Sequence, residues 1–195
     1  MTAFISRAIM PDSDFRAVLR ANGWNVSGQS FVKLSALPFA KIPDCEWLFF
    51  SSQNAVRFFF QSVESQKIEV PKVNWAALGV STARVLESFT GAVDFIGTGE
   101  PKGTAQMFRQ HCARLKKEIG TIVFPAARRS RQSVMTLLNL DFHCFHFEIY
   151  DNQPVSNPAQ RSEQVLAFTS PMNADAYFSQ HDLLPHQRVV AIGGT

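Results

Sequence analysis

Cysteine is scarce in this chain: Cys45, Cys112 and Cys144 are an odd and widely spaced set in 195 residues. That excludes a disulfide framework and predicts buried, reduced thiols. Charge of one sign is scarce too. No run of lysine or arginine occurs and the formal net charge is only +3, which excludes a nucleic-acid partner but suits a small anionic ligand. Long apolar runs are missing, and the stretch from Met1 to Phe15 is broken by Arg7 and lacks the layout of a secretory signal. A soluble, cytoplasmic protein with no membrane partner is the expectation. Glycine-rich phosphate loops, dinucleotide fingerprints and Gly-x-Ser-x-Gly elbows are absent. His143-Cys144-Phe145-His146 comes nearest to a metal motif. In a strand its two histidines point to opposite faces, and no second Cys/His pair has matching spacing, so no metal is expected.

What the chain has in quantity is apolar surface, 46% of its residues with 18 Phe among them, enough for two small cores and too much for disorder. That surface is arranged as a repeat. Leu48-Phe49-Phe50-Ser51-Ser52-Gln53-Asn54-Ala55 returns as Leu166-Ala167-Phe168-Thr169-Ser170-Pro171-Met172-Asn173-Ala174. Trp75-Ala76-Ala77-Leu78-Gly79-Val80-Ser81-Thr82 returns as Val189-Val190-Ala191-Ile192-Gly193-Gly194-Thr195. Each copy reads as a strand, a hydroxyl pair, a helix, then a second strand ending in a glycine turn, which implies two similar α/β units.

The opening residues Thr2 to Ser6 read as a strand. A helix follows, capped by Ser13, burying Phe15, Val18 and Leu19, and stopped by Asn22-Gly23. Val26 to Leu34 carries no helical period and reads as extended. From Trp47 to Leu138 short apolar runs alternate with helical patterns, which predicts doubly wound parallel sheets with helices on both faces. Cys144 to Asp151 reads as another extended stretch, with Phe145, Phe147 and Ile149 on one face and His146, Glu148 and Tyr150 on the other. If the first strand and helix join the second copy of the repeat, one discontinuous domain comprises residues 1–31 plus 155–195 and the other 32–154, with two extended strands as the only connections.

In such sheets ligands sit beyond the carboxyl ends of the strands, where helix N-termini present unpaired N–H groups. Ser51, Ser52, Ser81, Thr82, Thr169, Ser170, Gly194 and Thr195 fall at those ends. Their backbone amides and hydroxyls suit carboxylates, and each hydroxyl could equally just cap its helix. Pro171 fits a first helical position, where its missing N–H costs nothing. Arg7, at the end of the first strand, can reach a ligand carboxylate or a surface partner. Arg128, Arg129 and Arg131 cluster ahead of a helix. Tyr150 is the one candidate for proton chemistry, since a phenol stays protonated at neutral pH.

The order of Phe50-Ser51-Ser52-Gln53-Asn54-Ala55-Val56, Ala77-Leu78-Gly79-Val80-Ser81-Thr82-Ala83, Phe168-Thr169-Ser170-Pro171 and Ala191-Ile192-Gly193-Gly194-Thr195 resembles the uroporphyrinogen-III synthase family. Ile5-Ser6-Arg7, Ile122-Val123-Phe124-Pro125 and Glu148-Ile149-Tyr150 are similar to further segments of that family. Two departures stand out: Ala126-Ala127 replace a common Arg-Gly, and the sequence stops inside the second glycine turn, so the closing part of the discontinuous domain is expected to be missing. The resemblance implies two similar domains joined by a two-stranded linker with an active-site cleft between them. It implies a cofactor-free, monomeric lyase that cyclises the polycarboxylate hydroxymethylbilane with inversion of the last ring. It places Arg131 at a basic position of the family, and Tyr150 near the cleft as proton donor or as a brace of the hinge. The alternative function is a non-catalytic two-domain binder of an anionic small molecule.

Overall fold

The computed structural model describes residues 1–115 and 118–191. From the amino end it forms β1 (Thr2–Ile5), α1 (Asp14–Ala21), β2 (Asn25–Gly28), β3 (Val32–Ala36), β4 (Trp47–Phe50), α2 (Gln53–Gln66), β5 (Asn74–Ala77) and α3 (Val80–Thr90). There follow β6 (Phe95–Ile96), α4 (Pro101–Leu115), β7 (Ile122–Ala127), α5 (Ser133–Leu138), β8 (Cys144–Pro154), β9 (Val165–Phe168), α6 (Pro171–Phe178) and β10 (Arg188–Ala191). Two compact units result, Met1–Leu34 with Asn152–Thr195, and Ser35–Asp151. Both boundaries fall inside strands, β3 and β8. The N–H of Leu37 donates to Ile149 O and that of Val155 to Phe31 O, so the two segments pair in opposite chain order.

In the larger unit the strands run in the order β3-β8-β7-β4-β5-β6. From β8 to β6 every pairing is parallel. All four residues of β4, Trp47 to Phe50, are buried, as expected of a central strand covered on both faces. On one face Trp47 and Phe49 pack with Phe95, Phe108 and Phe124 beneath α4 and α5, which add Ala105, Cys112, Val134 and Leu138. On the other, Phe50 meets Phe59 of α2 edge-on at 5.4 Å. Helix starts and stops follow side-chain chemistry. The Ser52 hydroxyl accepts from the Ala55 N–H at 3.1 Å, and α3 ends on Gly91 at φ 75°, a left-handed conformation that glycine adopts without cost.

The smaller unit has the parallel order β10-β9-β1-β2. Its core gathers Phe4, Phe31, Leu166, Phe168, Ala176 and Tyr177. Here one expectation is corrected. Helix α1 is capped by Ser13 as anticipated, but it buries no residue; Phe15 is 38% and Val18 61% exposed. The apolar period is present, yet among the described residues the helix rests chiefly on β2, and Phe15 lies instead beneath the Arg7 guanidinium at 5.5 Å.

Among the described residues no helix is long and apolar enough to cross a membrane.

Candidate functional site

A doubly wound sheet opens a crevice where successive strands leave in opposite directions. In the larger unit that point lies between β4, from which the chain steps outward to β5 and β6, and β7, from which it steps to β8. Pairing of β4 with β7 stops at Leu48↔Val123, although β4 continues to Phe50 and β7 to Ala127. Pro125 sits just beyond the last pair and has no N–H to donate. Pairing with β8 continues past it on the other side, so the strands part only on the β4 side. The crevice is therefore flanked by Ser51-Ser52 after β4 and by Arg128 to Arg131 after β7.

Tyr150 is aimed by an irregularity. The β7–β8 register runs Ala126↔Glu148 and then Ala127↔Tyr150, with a bulge at that step. The extra residue breaks the two-residue alternation, so Ile149 and Tyr150 are both buried, at 0% and 8% exposure. The alternation read from the sequence, which set Tyr150 with His146 and Glu148 against Ile149, ends at this bulge. The Tyr150 ring stacks on that of Phe58, centroids 4.8 Å apart and planes 10° from parallel. Burial pushes its phenol above the ordinary tyrosine range, and a hydrogen bond with Ser52 pulls it part of the way back. The structure thus brings two of the candidates, Ser52 and Tyr150, to one place.

The remaining candidates of this unit are distributed along the same edge. Ser51 is exposed and caps nothing. Gly79 caps α3 without a side-chain bond, and a Cβ on it would lie 2.6 Å from Gly99 Cα, so the two loops approach this closely only because residue 79 is glycine. Ser81 is exposed in the first turn of α3, whereas Thr82 is buried, with its N–H donating to Gly79 O at 3.1 Å. The neighbouring start of α4 shows what such a helix end accepts: the Glu100 carboxylate takes the N–H groups of Lys102 at 3.0 Å and Gly103 at 2.7 Å, and those bonds hold it below the usual carboxylate range. Arg131 is exposed and has neither ion pair nor hydrogen bond among the described residues. Ala126 and Ala127 are buried in β7 and offer an anion nothing from their side chains.

In the smaller unit the equivalent point lies between β1 and β9. It is tied shut by hydroxyls: Ser6 Oγ accepts the Thr169 N–H at 2.8 Å, and Thr169 Oγ1 donates to Ser6 O at 3.2 Å. Ser170 accepts from the Asn173 N–H at 3.3 Å and from its side-chain amide at 3.0 Å, and Pro171 takes the first position of α6. Arg7 is exposed over Phe15. Gly194 and Thr195 lie outside the described residues.

Sequence reasoning missed Asn173 and Phe58. Asn173 is buried and its Oδ1 accepts the Phe31 N–H at 2.7 Å, fixing the segment that leads into β3; a lone asparagine in a helix's first turn carries no signal of that long-range bond. Phe58 falls off the apolar stripe of α2, and that displacement was the one available hint. His143 and His146 are engaged by Thr121 and by Gln132 and Ala127 O respectively.

A family model described as uroporphyrinogen-III synthase HemD matches residues 13–195. No curated protein sequence matches significantly. Among solved structures, uroporphyrinogen-III synthetase from Helicobacter pylori is 21% identical with a TM-score of 0.64, covering 99% of this chain and 84% of that one. A mutant uroporphyrinogen III synthase from Thermus thermophilus is 13% identical with a TM-score of 0.62, over 98% of this chain and 84% of that one. At these identities the two structures establish a shared mixed α/β fold with parallel sheets.

Proposed function

The chain belongs to the uroporphyrinogen-III synthase family, and from that premise we propose how its residues carry out the family's reaction. The activity is that of a cyclising lyase of heme biosynthesis, closing hydroxymethylbilane to uroporphyrinogen III with inversion of ring D. The observation that carries this reading is the family match over residues 13–195, which takes in every element from α1 to β10.

The substrate brings most of the reactivity. Pyrrole nitrogen electrons expel the terminal hydroxyl, breaking a C–O bond and leaving an azafulvene; the substituted carbon of ring D attacks it, and the spiro intermediate fragments and recloses inverted. The protein's work is to hold the linear chain so that the inverting attack is the near one. The two units are joined by a two-stranded linker, β3 with β8, and the substrate's carboxylates are received at the carboxyl ends of their strands. Amides and hydroxyls at Ser51, Ser52, Ser81, Thr82, Ser170, Gly194 and Thr195, with Arg7 and Arg131, are the groups assigned to them, while Pro171 and Thr169, which have no proton to spare, shape the turn that presents Ser170. Tyr150 gives its phenolic proton to the departing hydroxyl, which leaves as water, and recovers one when the reclosed pyrrole loses its α-proton. That cycle calls for no cofactor. The enzyme works as a monomer in the cytoplasm.

The test feeds freshly prepared hydroxymethylbilane to the protein, oxidises the products and separates the isomers. Type III in excess of the protein-free control supports the enzyme. Type I alone would leave the non-catalytic binder. Tyr150→Phe should lower kcat about a hundredfold, at the lower end of what general acids supply, with the fold intact by circular dichroism; unchanged kcat would remove Tyr150 from the mechanism.

A further inference from the structure

Tyr150 sits toward the end of β8, just past a bulge that turns its ring out of the strand's alternation; its carbonyl accepts the Arg128 N–H at 2.9 Å, which ties the backbone down but leaves the ring free to turn about its own side-chain bonds. A proton donor must nevertheless be held within hydrogen-bond reach of a single oxygen. Phe58 supplies what the backbone lacks. It lies in the second turn of α2, half-buried, away from the Ala55, Val56 and Phe59 stripe that makes the core contact. Its ring is nearly parallel to that of Tyr150, 10° between planes and 4.8 Å between centroids. In that offset geometry a phenol can slide or tilt only by losing face-to-face contact. The start of the same helix carries Ser52, whose hydroxyl already accepts from Ala55 N–H at 3.1 Å and so keeps its own proton for another acceptor.

Resting on the reading of Tyr150 as proton donor, we propose that Phe58 is a positioning residue of the reaction, a flat stop that sets the Tyr150 phenol in line with the departing hydroxyl. Phe58 touches no substrate atom and acts through the phenol alone. Its contribution therefore disappears when the phenolic oxygen does, and it falls on kcat rather than on substrate binding.

A double-mutant cycle on the full chain tests this with the isomer assay as readout. Phe58→Leu keeps an apolar side chain but no ring. It should lower kcat for type III formation about three- to tenfold, the range that one aromatic stack corresponds to, with KM changed less than about twofold. Phe58→Trp, which restores a flat face, should recover most of that loss. In the Tyr150→Phe background Phe58→Leu should change kcat no further. An equal loss in both backgrounds would show a structural role and overturn the inference, as would an unaltered kcat for Phe58→Leu in the parent. A Tyr150→Phe protein as fast as the parent would overturn the proton-donor reading itself, and that single variant separates the two failures.

Discussion

Arg128 donates its Nε–H to Glu148 Oε2 at 2.8 Å, and the Asp151 carboxylate stands 4.0 Å from Arg128 and 3.9 Å from Arg129. The basic cluster after β7 is thus largely matched by acids from β8. Among the described residues Arg131 is the arginine of the three without such a match. Arg131→Ala should raise KM for the polycarboxylate substrate about tenfold at low salt, the scale of one charge-assisted hydrogen bond, with the difference shrinking as salt screens it. Steady-state kinetics at two ionic strengths checks this, and an unchanged KM would withdraw Arg131 from the substrate site.

The two serines after β4 have different tasks despite their adjacency. Ser52 caps α2 through the Ala55 N–H, so Ser52→Ala should lower unfolding free energy by about 1 kcal/mol. Ser51 caps nothing and is exposed, so Ser51→Ala should leave stability alone and raise KM if the hydroxyl meets a carboxylate. Urea melts beside kinetics separate the two. Equal melts for both variants would contradict the capping assignment.

The same pair shows what could and could not be read in the chain. The strand, hydroxyl and helix order was legible because Ser52 and Ser170 cap their helices locally, within reach of sequence spacing. The alternation of Phe145, Phe147 and Ile149 was legible up to the bulge, since nothing in Glu148-Ile149-Tyr150 marks an extra residue against Ala126-Ala127. The Ser6–Thr169 and Phe31–Asn173 bonds join residues more than a hundred positions apart, and single side chains do not announce partners at that range. Helix α1 failed for a further reason: an apolar stripe states what a helix could bury and not whether anything lies against it.

Packing around β4 predicts a steep gradient in tolerance. Phe49 is fully buried and its ring lies 5.0 Å from Phe124, 5.5 Å from Phe108 and 6.2 Å from Phe95. Phe49→Ala should cost about 3–5 kcal/mol. Phe89 is 51% exposed and stacks on Phe60 at 4.5 Å, so Phe89→Ala should cost about 1 kcal/mol, an aromatic pair without its burial. Chemical denaturation followed by tryptophan fluorescence reads both, and comparable losses would mean that the helix surface, not the sheet, holds this unit.

The three cysteines should behave alike although they are far apart in sequence. Cys112 is buried as expected, whereas Cys45 and Cys144 are only half-buried; desolvation still pushes each thiol up to about 11, with Asp44 adding to the effect at Cys45 and Glu46 at Cys112. Around pH 8 the native protein then holds about a hundredfold less thiolate than the usual value near 9 allows, and thiolate is the reactive form. Labelling by a disulfide reagent should be slow for all three in the native state and fast after unfolding in urea. A single fast native thiol would locate a local opening.

Tyr150 carries the clearest pH signature. Desolvation favours its neutral form and the Ser52 hydrogen bond opposes this only in part, so the phenol titrates above the ordinary value of 10.0. A group whose proton is held more tightly in the folded state stabilises that state fully below its unfolded pKa, and the stabilisation is lost as pH rises through the folded one. The alkaline fall in stability due to this residue therefore lies above pH 10.0, beyond the range in which the phenol must donate. Subtracting the ultraviolet titration of Tyr150→Phe from that of the parent isolates the phenolate signal, which should emerge only above the usual tyrosine range. Ser52→Ala should move it later still, because the interaction that favours the anion is gone. A phenolate signal at or below the ordinary value would mean that solvent reaches this ring freely, and the buried stack against Phe58 could not then be what orients it.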